Sequence, residues 1–345
     1  MTSLAPRPRR RAAVMADVAR LAGVSQQTVS RVLNDSPHVR AATRERVEDA
    51  VRKLGYRPNR VARALVTGRS RTLGVVSFDT TLFGPASTLS GIERAAHDAG
   101  YSVSIASLAE LTAADVHRAI DRLRDQGVDG VLVIAPQEAA ARALHRLPPG
   151  LPVVATEAGT QDDVPLVAVD QRAGAEVVTR HLLALGHRTV WHVSGPPDWL
   201  EAQDRVRGWR ETLAAEGARA PTVLEGDWSA RSGHALAHDL PADATAVFVA
   251  NDQMALGVLR ALHELGRRVP ADVSVAGFDD IPEAAYFTPP LTTVRQRFDE
   301  VGKQALLALL AQLDGEARTG SRTTIAPELI VRASTARPTV TSSRG

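Results

Sequence analysis

From Leu73 onward the chain alternates short apolar runs with longer amphipathic segments, and this alternation narrows the possible folds more than any other feature. The runs are LGVVSF (73–78), YSVSIA (101–106), GVLVIA (130–135) and PVVAT (152–156), separated by helical patterns at 87–99, 112–126 and 138–146. Strands joined by helices must cross over, so these four are expected to lie parallel. The cycle begins again after Val169-Asp170, with helix 171–185, strand 189–193, helix 200–216, strand 221–224, helix 229–239, strand 246–250, helix 252–265 and strand 273–277. Two such halves in series predict a clamshell of two doubly wound parallel-sheet α/β subdomains, with a ligand between the carboxyl ends of the strands. The first half is expected at about 71–170 plus part of 298–320, because a helix at 298–313 crosses back to it; the second is expected at about 171–297. Residues 336–345 read as a polar tail without a leucine heptad.

Charge separates this body from the segment before it. Residues 1–72 hold 16 Lys+Arg against 5 Asp+Glu, a surplus of 11, while the remaining 273 residues hold 25 against 34. A basic head on an acidic body points to a polyanion partner for the head. Residues 1–14, rich in Pro and Arg, read as a disordered basic tail. In the stretch MADVARLAGVSQQTVSRVLN (15–34), Val18 and Leu21 are three apart, Gly23 breaks the period, and Val29, Val32 and Leu33 resume it. That is the pattern of two short helices around a tight turn, the second capped by Ser25. With the valines inward, Gln26, Gln27 and Arg31 share the outer face, and Gln and Arg can bond bidentately to purine edges in a major groove. Ser25, Thr28, Ser30 and Asn34 flank them as phosphate contacts.

A third helix is expected from Ala42 to Leu54, with Val47, Ala50, Val51 and Leu54 on one stripe and Arg40 where a Ser or Thr cap is usual. The head thus reads as a small all-α helix-turn-helix domain at 15–57. Residues 58–70 form a hinge: Pro58 opens a helical turn at Asn59–Leu65 and Gly68 closes it. So short a helix orders only against a partner surface. Small Ala62 and Leu65, one turn on, suit a minor groove, where Leu65 wedges a base step. An ordinary Ala/Arg-rich linker is the plain alternative.

At the strand ends of the body stand Asn251, Asp252, Asp279 and Asp280, with Arg205 in the helix after strand 189–193. Planar bidentate groups suit vicinal hydroxyls, and Trp228 and Phe298 can wall the C–H face of a sugar ring. Asn251 or Asp252 can equally cap the next helix, Trp228 can equally be core, and Asp280 reads as solvated or capping. The chain has no cysteine, which excludes a disulfide framework, a thiolate zinc site and a cysteine nucleophile, and fits a reducing cytoplasm. HExxH, GxSxG, GxxxxGK and GxGxxG motifs are absent, so no catalytic residue, metal or cofactor is expected. His181 and His187 around Gly186 read as a structural turn. No apolar stretch spans a bilayer and no export signal is seen.

Five segments, DVARLAGVSQQTVSRVLN, TRERVEDAVRKLGYRPNRVARAL, EGDWSARSG, VANDQMALG and GFDD…PPLTTVRQ, stand in the order and spacing of the lactose-repressor (LacI/GalR) family, which the chain resembles over about residues 15–335. EGDWSA and NDQMALG resemble its lactose-repressor branch most closely. The resemblance implies a DNA-binding head, a minor-groove hinge and a periplasmic-binding-protein-like, sugar-sensing body. It implies Gln26, Gln27 and Arg31 as base readers and Leu65 as the intercalating leucine. It places Leu82, Pro85, Arg205, Trp228, Asn251, Gln253, Asp279 and Phe298 around an effector. The sequence departs from that branch at Gln26 (a tyrosine there), Glu157 (an aspartate), Ile134 (an asparagine) and Phe78 (a serine). Losing the Asn deletes a buried hydrogen-bonding group, so the sugar is expected to differ.

The resulting expectation is a transcriptional regulator, a repressor that leaves near-palindromic double-stranded operator DNA when a small carbohydrate such as a galactoside binds. A homodimer is expected to place two heads on the site. The rivals are a member with a nucleobase corepressor, a sugar receptor without a DNA role, and an enzyme.

Overall fold

Among the first seventy residues, helices α1 (Met15–Ala22), α2 (Gln26–Leu33) and α3 (Ala41–Leu54) close on a core of Val18, Val29, Val32, Val47, Ala50 and Tyr56. Gly23 ends α1 at φ +63°, a left-handed turn that costs glycine little, and the Val24 N–H returns to the Ala19 carbonyl at 3.0 Å. Ser25 Oγ accepts the Thr28 N–H at 3.1 Å, which starts α2 where the sequence places its cap. Arg40 precedes α3 without any side-chain cap. The expected apolar period needs one correction: Leu21 is 52% exposed. An eight-residue helix has room for one buried row, and Val18, Ala19 and Ala22 occupy it. Leu54, expected on the buried stripe of α3, is likewise exposed at the helix end.

The computed structural model describes residues 13–33, 38–56, 68–78, 80–108, 112–144, 147, 150–157, 164–316 and 320–339. Contacts divide the chain into two units, Met1–Ser70 and Arg71–Gly345. Asn34 and the hinge positions Asn59, Ala62 and Leu65 lie outside the described residues, as does most of the N-terminal tail.

The second unit has two lobes. Lobe 1 begins with β1 (Thr72–Phe78), α4 (Phe83–Asp98), β2 (Ser102–Leu108), α5 (Ala113–Asp125), β3 (Gly130–Ile134), α6 (Glu138–Ala143), β4 (Val153–Thr156) and β5 (Leu166–Val169). Lobe 2 comprises α7 (Gln171–Ala184), β6 (Trp191–Ser194), α8 (Leu200–Ala215), β7 (Leu224–Glu225), α9 (Ala230–Ala237), β8 (Ala246–Val249), α10 (Asp252–Glu264), β9 (Ser274–Ala276) and β10 (Thr293–Arg295). The chain then returns to lobe 1 as α11 (Phe298–Leu313) and β11 (Arg322–Ile325), and to lobe 2 as β12 (Glu328–Ile330), antiparallel to β10. It therefore crosses between lobes three times, near residues 170, 296 and 326.

Lobe 1 is a six-stranded parallel sheet in the order β11-β5-β4-β3-β1-β2, and lobe 2 a four-stranded one in the order β7-β6-β8-β9. Two strands of lobe 1 go beyond the four expected. β5 is only four residues long and ends where the sequence pattern restarts, and β11, RTTI, is an edge strand too polar to read as a run. Helix 87–99 starts earlier, at Phe83, and strand 221–224 shrinks to Leu224–Glu225. The polar tail expected from 336 also needs correction, because the chain on both sides of that point is tied to lobe 2. Val275 N–H donates to the Ser334 carbonyl at 2.9 Å and Ala336 N–H to Ser274 Oγ at 3.0 Å. Thr339 Oγ1 donates to the Ala271 carbonyl. His187 sits at the same seam, bonded to Thr245, Ser274 and the Ala336 carbonyl, which makes it structural.

Candidate functional sites

In the head, Gln26, Gln27 and Arg31 stand exposed on α2 while Val29 and Val32 of the same helix are buried. Three adaptable hydrogen-bonding side chains thus project from one rigid face. Ser25 and Thr28 bond to each other through their hydroxyls at 3.0 Å, at the start of the helix. Arg44 of α3 braces the other end through the Val32 carbonyl at 3.4 Å.

In the body, a partly open cavity lies where the strand ends of the two lobes meet. Lobe 2 builds its polar side around Arg205 on α8. The guanidinium is 2% exposed in its side chain; Nε donates to Gln171 Oε1 at 2.9 Å and Nη1 to the Ala250 carbonyl at 2.6 Å. Its central carbon lies 4.1 Å from the Phe278 ring centroid and 5.4 Å from that of Trp228. Gln171 Nε2 continues the chain to Gln296 Oε1 at 2.7 Å, and Gln296 Nε2 donates to Asp279 Oδ1 at 2.6 Å. Arg205 Nη2 remains 3.8 Å from Glu201 and 4.0 Å from Asp279, between two carboxyls.

Trp228 is the aromatic wall. It takes φ +72°, a conformation a bulky residue adopts only when its surroundings impose it. The imposing group is Asn251. Its Nδ2 donates to the Trp228 carbonyl at 3.0 Å while its Oδ1 caps α10 through the Met254 N–H at 2.9 Å. Trp199 meets Trp228 edge-on at 5.4 Å. Gly195 allows this corner, since a Cβ there would lie 2.2 Å from the Trp228 ring. Trp228 is 7% exposed, and its buried Nε1 has no hydrogen-bond partner within the protein. Glu157 and Asp279 also take positive φ, so strained backbone gathers around the cavity.

Burial dominates the electrostatics. It pushes the Asp279 carboxyl up to about 7, against the pull of Arg205 and Gln296. It pushes Glu157 up to about 8, with the charge of Glu201 adding to the effect, and it raises Glu201 as well. Asp252, deeper, is raised well above the usual carboxylate range by burial and holds Thr293 Oγ1 at 2.6 Å and the Ile281 N–H at 2.9 Å.

Leu82, Pro85, Arg205, Trp228, Asn251, Gln253 and Asp279 all line the cavity. Glu157 and Phe298 do not. Glu157 stands behind the lining, where Thr88 Oγ1 donates to it at 2.6 Å, and Phe298 backs Phe83 edge-on at 5.9 Å. Ile134 is fully buried in lobe 1. Asp280, expected to be solvated or capping, instead accepts from Arg295 at 2.7 Å and Arg332 at 2.6 Å, because β10 and the segment after β12 bring both arginines over it. Thr81, Phe83, Gly84, Trp199, Glu201 and Gln296 line the cavity as well, beyond the residues that the sequence marks. For Glu201 a signal existed: it is one helical turn before Arg205, on the same face. Trp199 had none of that kind, since it precedes the helix.

Beyond the three chain crossings, the lobes are joined by a small antiparallel bridge between Gln137 and Trp199. Leu200 N–H donates to the Pro136 carbonyl at 2.9 Å and Glu138 N–H to the Asp198 carbonyl at 3.3 Å. Gln203 Nε2 adds a bond to Glu138 at 2.8 Å. Among the described residues no cluster of His, Asp and Glu is arranged to hold a metal, and no helix is long and apolar enough to cross a membrane.

A helix-turn-helix head and a two-lobed body around a cavity define the class of a ligand-responsive regulator. Residues 14–59 match the model of bacterial regulatory proteins of the lacI family, and residues 179–335 that of a periplasmic binding protein-like domain. The lactose operon repressor of Escherichia coli (strain K12) is 36% identical over 310 residues, 89% of this chain and 86% of that one. The transcriptional regulator CelR of Thermobifida fusca is 36% identical over 348 residues, covering 94% and 99%. The crystal structure of the lac repressor dimer bound to operator and the anti-inducer ONPF superposes with a TM-score of 0.84 at 34% identity, covering 94% of this chain and all of that one. A CelR–cellobiose complex superposes with a TM-score of 0.69 at 33% identity, covering 93% and 99%. The chain belongs to the lacI family of bacterial transcriptional regulators.

Proposed function

We propose that this regulator binds a near-palindromic operator as a homodimer in the cytoplasm, represses from it, and is released when a small saccharide fills the body cavity. The observation that carries the ligand half is Arg205, held rigid between carboxyls beside an aromatic corner whose indole N–H is unpaired. Saccharides need this combination of bidentate polar groups and a flat apolar wall. Relatives of known ligand and partner add support: one superposed structure is of a dimer on operator DNA and another holds cellobiose.

In the head, Gln26, Gln27 and Arg31 read base edges, with Ser25, Thr28, Ser30 and Asn34 on phosphates, and Asn59, Ala62 and Leu65 serve as the minor-groove hinge. Within the body, Glu157 and Phe298 act from behind the residues that touch the ligand. No reaction is assigned to the chain. Occupancy of the cavity releases DNA only if the ligand prefers the low-affinity state, since equal preference shifts nothing.

A mobility-shift titration of the full chain on the DNA upstream of its own gene, with and without lactose, cellobiose, galactose, glucose and ribose, tests this. At least one sugar is expected to weaken binding, and affinity is expected to fall steeply with salt. Arg31→Ala is expected to relax sequence preference by roughly 1–3 kcal/mol. A ligand that tightens DNA binding would instead establish a corepressor, and a chain that binds sugar but no DNA would establish a receptor.

A further inference from the structure

The cavity's own charges constrain what kind of saccharide it admits. Two carboxyls, Glu201 and Asp279, line it, and Glu157 stands behind with a buried Oε2 that has no partner. Arg205 is the one cation among the described lining residues, and two of its nitrogens are already committed to Gln171 and the Ala250 carbonyl. The third is shared between Glu201 and Asp279 at 3.8 and 4.0 Å. Helix starts ordinarily attract anions, and α8 and α10 both begin at this cavity. Here the first turn of each carries the chain's own carboxylate, Glu201 on α8 and Asp252 on α10. At the start of α8 the position that would hold a phosphate is occupied by an acid, while Asp252 of α10 lies buried outside the lining, bonded to Thr293 Oγ1 and the Ile281 N–H.

We propose that the cavity selects an uncharged, hydroxyl-rich saccharide against phosphorylated and acidic sugars, and that Glu201 is the residue that sets this selection. The inference rests on the saccharide reading and adds the ligand's charge to it. Glu201 accepts a hydroxyl of the sugar on the oxygen facing Arg205, while its other oxygen stays with Gln171 Nε2 at 3.2 Å. The unpaired Trp228 N–H donates to a sugar oxygen, and the Trp199–Trp228 corner covers the C–H face. An acidic substituent at the same place meets two carboxyls in a poorly solvated space with no free cation to offset them. Burial raises both carboxyls, and Asp279, pushed up to about 7, carries a proton part of the time before ligand arrives. Hydroxyl donors favour the ionised carboxylates and so release protons; an acidic ligand demands that protons be taken up.

The test is calorimetry on the full chain at pH 7, in two buffers of different ionisation enthalpy. The probes are galactose, glucose, lactose and cellobiose beside glucose 6-phosphate, galactose 6-phosphate and glucuronate. An uncharged sugar is expected to bind with proton release, and its acidic counterpart at least about 100-fold more weakly. Glu201→Gln and the shorter Glu201→Ser are each expected to reduce proton release and shrink that gap to about tenfold or less, with the circular dichroism spectrum unchanged. Acidic sugars binding wild type as tightly as uncharged ones would overturn the inference, as would variants that discriminate as wild type does. If no sugar of either kind binds, the saccharide reading falls and takes this one with it.

Discussion

Lobe 1 gives the cavity Thr81, Leu82, Phe83, Gly84 and Pro85, all but Thr81 apolar, whereas lobe 2 gives it Glu201, Arg205, Asn251, Gln253, Asp279 and Gln296 along with two tryptophans. The sheets are wound alike, so the difference lies in the segment at the carboxyl end of each strand. In lobe 1 the first strand leads into α4, whose first residues, Phe83, Gly84, Pro85 and Ala86, are apolar. In lobe 2 the strands lead into polar groups: Glu201 in the first turn of α8, bonded by Gln171, and Asp279 after β9, bonded by Gln296. The contrast is one of chemistry: lobe 2 supplies the polar and charged lining, and lobe 1 a mostly apolar one.

Removing Arg205 strikes this contrast hardest. Arg205→Ala leaves Glu201 and Asp279 buried without a countercharge. It is expected to cost on the order of 3 kcal/mol in urea unfolding and to abolish any saccharide response of operator binding. Gly195→Ala comes next: the added methyl displaces Trp228, so sugar affinity falls by about tenfold, for about 1–2 kcal/mol of overpacking, read by calorimetry beside a melt.

A pH series probes both lobes at once, because a raised carboxyl stands on each side. Glu157 of lobe 1 and Asp279 of lobe 2 titrate near 8 and 7 in the folded chain and near 4 when unfolded. These two groups make the native state hold more protons than the unfolded chain and pull stability down as pH rises, while buried His192, held down to about 4, pulls the other way up to about 6.5. The melting temperature is therefore expected to drop by roughly 5 °C between pH 6.5 and 8, and Glu157→Gln to flatten that slope. The smallest effect belongs to the apolar lining. Leu82→Ala is expected to weaken sugar binding by about 1 kcal/mol with little change in stability. A loss from Leu82→Ala as large as that from Arg205→Ala would end the contrast between the lobes.

Much of this was legible in the residues. The helix-turn-helix could be read because Gly23, Ser25 and the Val29/Val32 spacing are local signals, and local signals survive folding. The two α/β halves could be read because buried parallel strands leave apolar runs. β11 could not, since an edge strand needs no such run, and Leu21 misled because an eight-residue helix buries less than its apolar content suggests. At the cavity, Arg205, Trp228, Asn251 and Asp279 came from residue chemistry at strand ends and from family resemblance. Trp199 and Phe83 required the tertiary fold, since they meet the cavity only once the lobes come together. Glu157 lies one layer farther from the cavity than the resemblance implies, because Thr88 reaches it first.

The bridge between Gln137 and Trp199 ties two things to one residue. Trp199 pairs its backbone across to lobe 1 and lines the cavity, so any shift of lobe against lobe at this seam moves a cavity wall with it.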